Sequence, residues 1–165
     1  MLFESKRFRV DVVEDKDLNE IVQVYNSNEN FLINHMDKKE VTTGWLIEEL
    51  NSMKRIGFSC CKIIDINSEK IVGIVDFKID KETYLSLLMI HNDYKNKGLG
   101  RLIYNDLEEH ALSLKSKCIR IDVVIGYDDS VIEFWRKNGF IEFEDTILNW
   151  TGKDLKAIVM KKNLN

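Results

Sequence analysis

At 165 residues the chain has the size of one domain and can bury roughly two thirds of the surface that its unfolded form exposes. Hydrophobic residues at 44% and charged residues at 32% exclude a disordered chain, and no apolar run reaches the ~18 residues of a membrane span. The net charge of -4 argues against nucleic acid as a partner, because phosphate-tracking surfaces depend on a basic stripe.

Met1 to Val10 lacks the apolar core of a signal peptide, so the expected location is cytoplasmic. Arg7 to Val13 alternates weakly and predicts an opening strand, after which Asp15 is placed to cap a helix from Lys16 to about Tyr25. Leu18, Ile21, Val22 and Tyr25 share one face of that helix. Asn26 to Asn34, rich in Asn and Ser, predicts a loop, and a second helix from Val41 to about Met53 buries Trp45, Leu46, Leu50 and Met53 before Gly57 stops it. Three strands follow, Phe58 to Ile66, Lys70 to Ile79 and Thr83 to His91, joined by links too short for a crossover and therefore antiparallel.

A long helix from about Gly100 to Lys115 turns Leu102, Ile103, Leu107, Ala111 and Leu114 inward. It leads to a β-branched strand, Cys118 to Ile125, which a right-handed crossover can lay parallel to Thr83 to His91. A last helix, Ser130 to Asn138, stops at Gly139, and Phe140 to Trp150 with Lys156 to Lys162 form a closing hairpin around the sequence TGKD. Adjacent Cys60 and Cys61 point to opposite faces of a strand and Cys118 is distant, so all three are expected as reduced thiols. His35, His91 and His110 have no metal-ligand spacing, and no metal is expected.

The chemistry concentrates in Leu87 to Arg101, LLMIHNDYKNKGLGR: a short apolar strand, a polar turn, then two glycines and a basic residue opening a helix. Gly98 and Gly100 allow close approach of a ligand, the helix start offers unpaired N–H groups, and Lys95, Lys97 and Arg101 add positive charge. This is an anion cradle suited to phosphate or pyrophosphate. A dinucleotide fingerprint would need glycine where Ile103 stands, and a P-loop would need Gly-Lys-Ser or Gly-Lys-Thr.

Lys95, Asn96, Lys97, Gly98, Leu99, Gly100 after Leu88, Met89, Ile90 resembles the acyl-CoA signature of the GCN5-related N-acetyltransferase superfamily. Asp128, Phe134, Trp135, Gly139 and Phe140 resemble its second signature, and the order of elements matches over essentially the whole chain. The resemblance implies an α+β fold, with a mostly antiparallel sheet flanked by helices and splayed between Ile90 and the strand at Cys118 to Ile125. It implies acetyl-CoA in that gap, its pantetheine on the backbone of Leu88, Met89 and Ile90, and its pyrophosphate on Asn96 to Arg101 with Lys95 beside them. A primary amine would attack directly, with a backbone N–H near Met89 or Ile90 stabilising the oxyanion. The acceptor would be a small molecule or a protein N-terminus, and the enzyme a monomer or homodimer.

The family often has a proton-donating Tyr where Trp135 stands and Asn where Asp128 stands. Trp135 is then read as a cleft wall packing on the cofactor, Asp128 as a helix cap and cofactor contact, and Tyr127 as the stand-in donor. For the base, Asp122 is the candidate, although Val123 occupies the matching position; Glu82, Tyr84, His91 and water are further options. The amino-terminal helices carry Glu14, Asp15, Asp17, Glu20, Glu29, Asp37, Glu40, Glu48 and Glu49 against Lys16, Lys38 and Lys39. These could form an acidic wall for a cationic acceptor or simply solvated helix faces. The vacant donor and base positions leave one alternative function, a catalytically silent acyl-CoA-binding sensor.

Overall fold

The computed structural model describes residues 2–150 and 152–165. Its strands are β1 (Phe3–Glu4), β2 (Phe8–Val12), β3 (Ser59–Asp65), β4 (Lys70–Lys78), β5 (Glu82–Ile90), β6 (Cys118–Val124), β7 (Ile141–Trp150) and β8 (Lys153–Asn163). Among the described residues they form one sheet in the order β1-β2-β3-β4-β5-β6-β8-β7, antiparallel except where β5 meets β6. The helices are α1 (Leu18–Asn26), α2 (Glu29–Met36), α3 (Thr43–Arg55), α4 (Leu99–Ser113) and α5 (Asp129–Lys137). The α+β expectation and the parallel crossover through α4 are both met.

Alternation along the strands divides the core in two. On one face Val75, Phe77, Leu85, Ile119, Ile121 and Val123 pack against Leu99, Ile103, Leu107 and Ala111 of α4 and Trp135 of α5. On the other, Ile74 and Met89 meet Ile21, Val24 and Tyr25 of α1, Leu32 and Met36 of α2, and Leu46 of α3. The helices thus cover both faces, and the parallel contact lies near the middle of the sheet.

Four expectations change. Leu102 and Leu114 do not turn inward with Ile103, Leu107 and Ala111 but stand exposed on the outer side of α4 and at its end. Asn26 to Asn34 is not a loop: after the link Ser27–Asn28 the chain re-enters a helix, α2, because Leu32, His35 and Met36 recur on one buried face. The Asn and Ser content masked this, although Asn28 is itself buried and its amide donates to Val24 O at 2.9 Å. Asp15 does not cap the first helix; a 3-10 turn, Asp15–Asp17, opens it, and Asp17 accepts from the Glu14 N–H at 2.8 Å. The last strand begins at Lys153, taking Lys153 and Asp154 out of the expected turn, while Thr151 lies outside the described residues.

Candidate active site

Strands β5 and β6 pair only at Glu82–Cys118, Thr83–Ile119 and Tyr84–Arg120 and then part. The parting starts where β5 is bulged: Asp76 of β4 faces Leu87 and Phe77 faces Leu85, leaving Ser86 without a partner. An extra residue bends and twists its strand, and here it swings the rest of β5 away from β6. The gap opens into a cleft of about 1090 Å³ that reaches from the start of α4 to the α1–α3 side of the sheet.

Beyond the bulge, β5 has β4 on one edge and the cleft on the other. The His91 N–H donates to Val72 O at 2.9 Å, and antiparallel alternation then places the Met89 N–H in the ladder opposite Ile74. Leu88 and Ile90 therefore turn their N–H groups toward the open edge. Asn28 already donates to the Ile90 carbonyl at 3.1 Å. Of the three predicted backbone residues, Leu88 and Ile90 offer main-chain N–H groups to a ligand, while Met89 buries its side chain on the α1–α3 face.

At the far end of β5 a 3-10 turn, Asn92–Tyr94, runs into Lys95, and Asn96 (φ 60) and Gly98 (φ 75) adopt left-handed conformations. Gly98 is the N-cap of α4 and has no side chain to cap it, so the N–H groups of Leu99, Gly100 and Arg101 are left for another partner. A Cβ on Gly98 would meet nothing within 4 Å, which makes its requirement conformational, whereas one on Gly100 would touch Phe134 at 3.4 Å. Lys95, Asn96, Gly98, Leu99, Gly100 and Arg101 line the cleft. Lys97 lies off that wall, its ammonium 5.8 Å from the Tyr94 ring centre. Burial lowers the Lys95 pKa, and nearby Asp128 opposes this.

Asp128 and Trp135 enter the same wall from α5. Asp128 is the N-cap, its Oδ1 accepting from the Ser130 N–H at 3.0 Å. Trp135 is 7% exposed and packs edge-on against Tyr104, Phe134 and Phe140 while still facing the cleft.

The other end of the cleft is made by side chains. With no bulge in β6, Val123 points into the α4–α5 core and Asp122 to the opposite face. Asp122, its side chain 3% exposed, accepts from Arg120 Nε at 2.9 Å and from the Tyr84 hydroxyl at 2.8 Å. Its lone pairs are thus largely committed. The Tyr127 hydroxyl lies 3.5 Å from His35 Nδ1, and burial, assisted by the charge of Asp128, pushes its pKa up to about 12. His35 Nδ1 lies 2.9 Å from the Phe31 carbonyl oxygen, which places the ring proton there, and burial lowers the His35 pKa. Glu82 accepts from Lys161 at 2.9 Å, and His91 Nδ1 accepts from the Asp93 N–H at 3.1 Å.

Two further carboxyl groups stand at this end of the cleft, Asp76 and Glu49. Asp76, on the middle strand of the meander, is 7% exposed and lines the cleft. Burial, reinforced by the charge of Glu49, raises its pKa to about 7, against pulls from the Cys60 thiol and the Cys61 backbone. Glu49 of α3 also lines the cleft and has a pKa raised by burial; it accepts a hydrogen bond from Trp150 Nε1 at 3.0 Å. A signal for Asp76 exists in the sequence, a single charge in the apolar run Ile71 to Phe77. Of the nine amino-terminal carboxylates only Glu29 and Glu49 line the cleft, while Glu14, Asp17 and Glu20 surround a separate recess holding the 2.6 Å Lys62–Asp17 ion pair.

The fold recurs among solved acetyltransferases. A spermidine N-acetyltransferase from Vibrio cholerae, solved with CoA and spermine, superimposes with a TM-score of 0.75 at 16% identity, over 96% of each chain. An acetyltransferase from Thermus thermophilus gives 0.72 at 19% identity, over 95% of this chain and 97% of the other. A ribosomal-protein-alanine N-acetyltransferase from Brucella melitensis gives 0.70 at 20% identity, over 94% and 99%. A sequence search of curated proteins finds no match. The sequence profile of the Acetyltransferase (GNAT) family matches residues 21–140. With that match covering most of the chain, and with the splayed strands and glycine-opened helix in place, the protein belongs to the GNAT family of acetyltransferases.

Proposed function

We propose that the protein is an acetyl-CoA-dependent N-acetyltransferase that joins an acetyl group to a primary amine by direct attack in a ternary complex. One observation carries this reading: the open edge of β5 and the uncapped start of α4 border one continuous cleft. Acetyl-CoA, when bound, supplies the acetyl group as a thioester. The N–H groups of Leu99, Gly100 and Arg101, with Lys95 and Asn96 nearby, suit its diphosphate, and Leu88 and Ile90 suit an extended amide chain laid along β5. Trp135 and Asp128 complete that wall from α5.

The Leu88 and Ile90 N–H groups, fixed by the sheet, would donate to developing negative charge without reorganising. Tyr127 keeps its proton at neutral pH, so its hydroxyl acts as a hydrogen-bond donor. Asp122, tied to Arg120 and Tyr84, holds the floor of the cleft in shape rather than exchanging protons. A protein built this way is stabilised by acetyl-CoA, by about 2.7 kcal/mol at a hundredfold excess over Kd. Thermal melting with and without acetyl-CoA, followed by thiol release across a panel of primary amines, tests the proposal. An unchanged melting temperature overturns it, and tight binding without turnover on any amine converts it to the sensor reading.

A further inference from the structure

The two ends of the cleft differ in charge. Among the described lining residues the basic side chains Lys95, Arg101 and Lys137 stand at the α4–α5 end with one carboxylate, Asp128, while Glu29, Glu49, Asp76 and Asp122 stand on the α1–α3 side and at β6. Asp122 is neutralised by Arg120. Asp76 has no cation beside it among the described residues, and Glu49 has only the Trp150 indole N–H. Two carboxyl groups facing a cleft from a buried strand and a packed helix are costly unless something positive meets them. The walls around them are mainly aromatic and apolar, Tyr25, Phe31, Phe58, Tyr84, Trp150 and Met53, with His35 stacked on Phe31 as a polar exception. Aromatic faces attract cations, but they hydrate poorly and reject a polar substrate body.

We infer that Asp76, with Glu49 beside it, receives the ammonium of a primary amine whose body is apolar, alkyl or arylalkyl, and takes its proton. This rests on the transferase reading above. The proton passes from the ammonium nitrogen to a carboxylate oxygen of Asp76, leaving a neutral amine with a free lone pair and a neutral carboxylic acid. Asp76 returns the proton to water in each turnover. Glu49 and the Trp150 indole form the positioning pair: the 3.0 Å hydrogen bond fixes one carboxylate oxygen and leaves the other for the substrate. The groups facing Asp76 are Glu49 from α3, Tyr25 from α1, and Cys60 and Cys61 from β3; burial and Glu49 hold its pKa up to about 7. That value lies near physiological pH, where a general base is most useful.

The test compares hexylamine with 1-hexanol, equal in chain length and different in charge, using Trp fluorescence and calorimetry on the full chain with and without CoA. Wild-type protein at pH 8 should bind hexylamine at least tenfold more tightly than 1-hexanol. In Asp76→Asn and Glu49→Gln that preference should fall below threefold, with the Kd for CoA unchanged. In turnover with hexylamine, Asp76→Asn should lower kcat at least fiftyfold and lose the rise in kcat/KM through about pH 7. Equal binding of amine and alcohol to the wild type overturns the inference, and it does so even if Asp76→Asn fails to fold. A preference of tenfold or more for 1,6-diaminohexane over hexylamine overturns the apolar body. Loss of CoA binding by the wild type is a separate result and strikes the transferase reading instead.

Discussion

The two ends of the cleft are built from different materials. At the start of α4 backbone N–H groups, placed by Gly98 in a left-handed conformation and by the helix it opens, face the cleft beside Lys95 and Arg101. At the α1–α3 end the cleft-facing groups are side chains, Asp76, Glu49 and Trp150, delivered by elements distant in sequence; Trp150 and Glu49 are 101 residues apart. Backbone groups change little with side-chain identity, so the α4 end can stay constant across a family while the side-chain end varies. The named acceptors of the structural relatives, spermidine and a ribosomal protein's alanine, differ in the same sense while the fold stays constant.

Gly100→Glu should break the backbone end most completely. A Cβ there meets only Phe134 at 3.4 Å, and a carboxylate in the first turn favours the helix dipole, so the fold should persist. The same carboxylate would occupy the place of the diphosphate and repel it. We expect CoA affinity to fall at least a hundredfold by calorimetry, with the far-UV spectrum and apo Tm unchanged within a few degrees. Retained affinity would show that the N–H groups at this turn do not hold the phosphates.

Asp76→Asn tests the side-chain end through stability, independently of any substrate. The folded protein holds the Asp76 proton up to about pH 7, whereas the unfolded chain releases it near its ordinary value of 3.8. Between these values the native state binds more protons, so stability falls as pH rises. The contribution is full below about pH 4 and lost as pH passes about 7. Asparagine carries no such proton, and its protein should be more stable than the wild type at pH 8, by on the order of 4 kcal/mol, with the two converging toward pH 4. Parallel stability curves would mean that Asp76 is ionised at no cost.

The difference in materials also explains what was legible in the sequence. Gly98, Gly100 and the basic residues around them are contiguous, so the glycine-opened start of α4 could be read from Leu87 to Arg101 alone, and so could the strand and helix flanking it. The bulge at Ser86, just before that stretch, and with it the division of labour between Leu88, Met89 and Ile90, depends on the partner strand β4 and has no local mark. The α1–α3 end is assembled from α1, α2, α3, β4, β6 and β7, and no pattern within one element indicates that Glu49 and Trp150 meet. Helix α2 was hidden because Asn and Ser usually mark loops, yet Asn28 is used inside the structure as a buried tie to Val24 and Ile90.

Gly98→Ala should have a smaller effect than either change above, confined to backbone strain. A φ of 75 costs a residue with a Cβ about 1–2 kcal/mol, and no neighbouring atom lies within 4 Å to add a clash. Urea unfolding should show that loss with an unchanged m-value. No loss would mean the turn relaxes to another conformation, and CoA affinity would then reveal whether the N–H groups had moved.

Asp128→Asn should give the smallest effect and the one whose sign is most informative. Asparagine caps a helix as well as aspartate, and its side-chain oxygen can take the Ser130 N–H in the same way, so α5 should keep its stability. What disappears is one negative charge on the wall shared with Lys95, Gly98 and Arg101. Asp128 at present favours the charged form of Lys95, which burial disfavours, so its removal also lowers the Lys95 pKa further. Against a ligand carrying several negative charges, loss of a like charge outweighs a modest weakening of one cation. We expect CoA to bind two- to fivefold more tightly at low salt, with the gain shrinking as salt is added. Weaker binding would reverse the assignment: Asp128 would then serve the cofactor by keeping Lys95 charged, and the phosphate end would depend on a side-chain pair as well as on backbone.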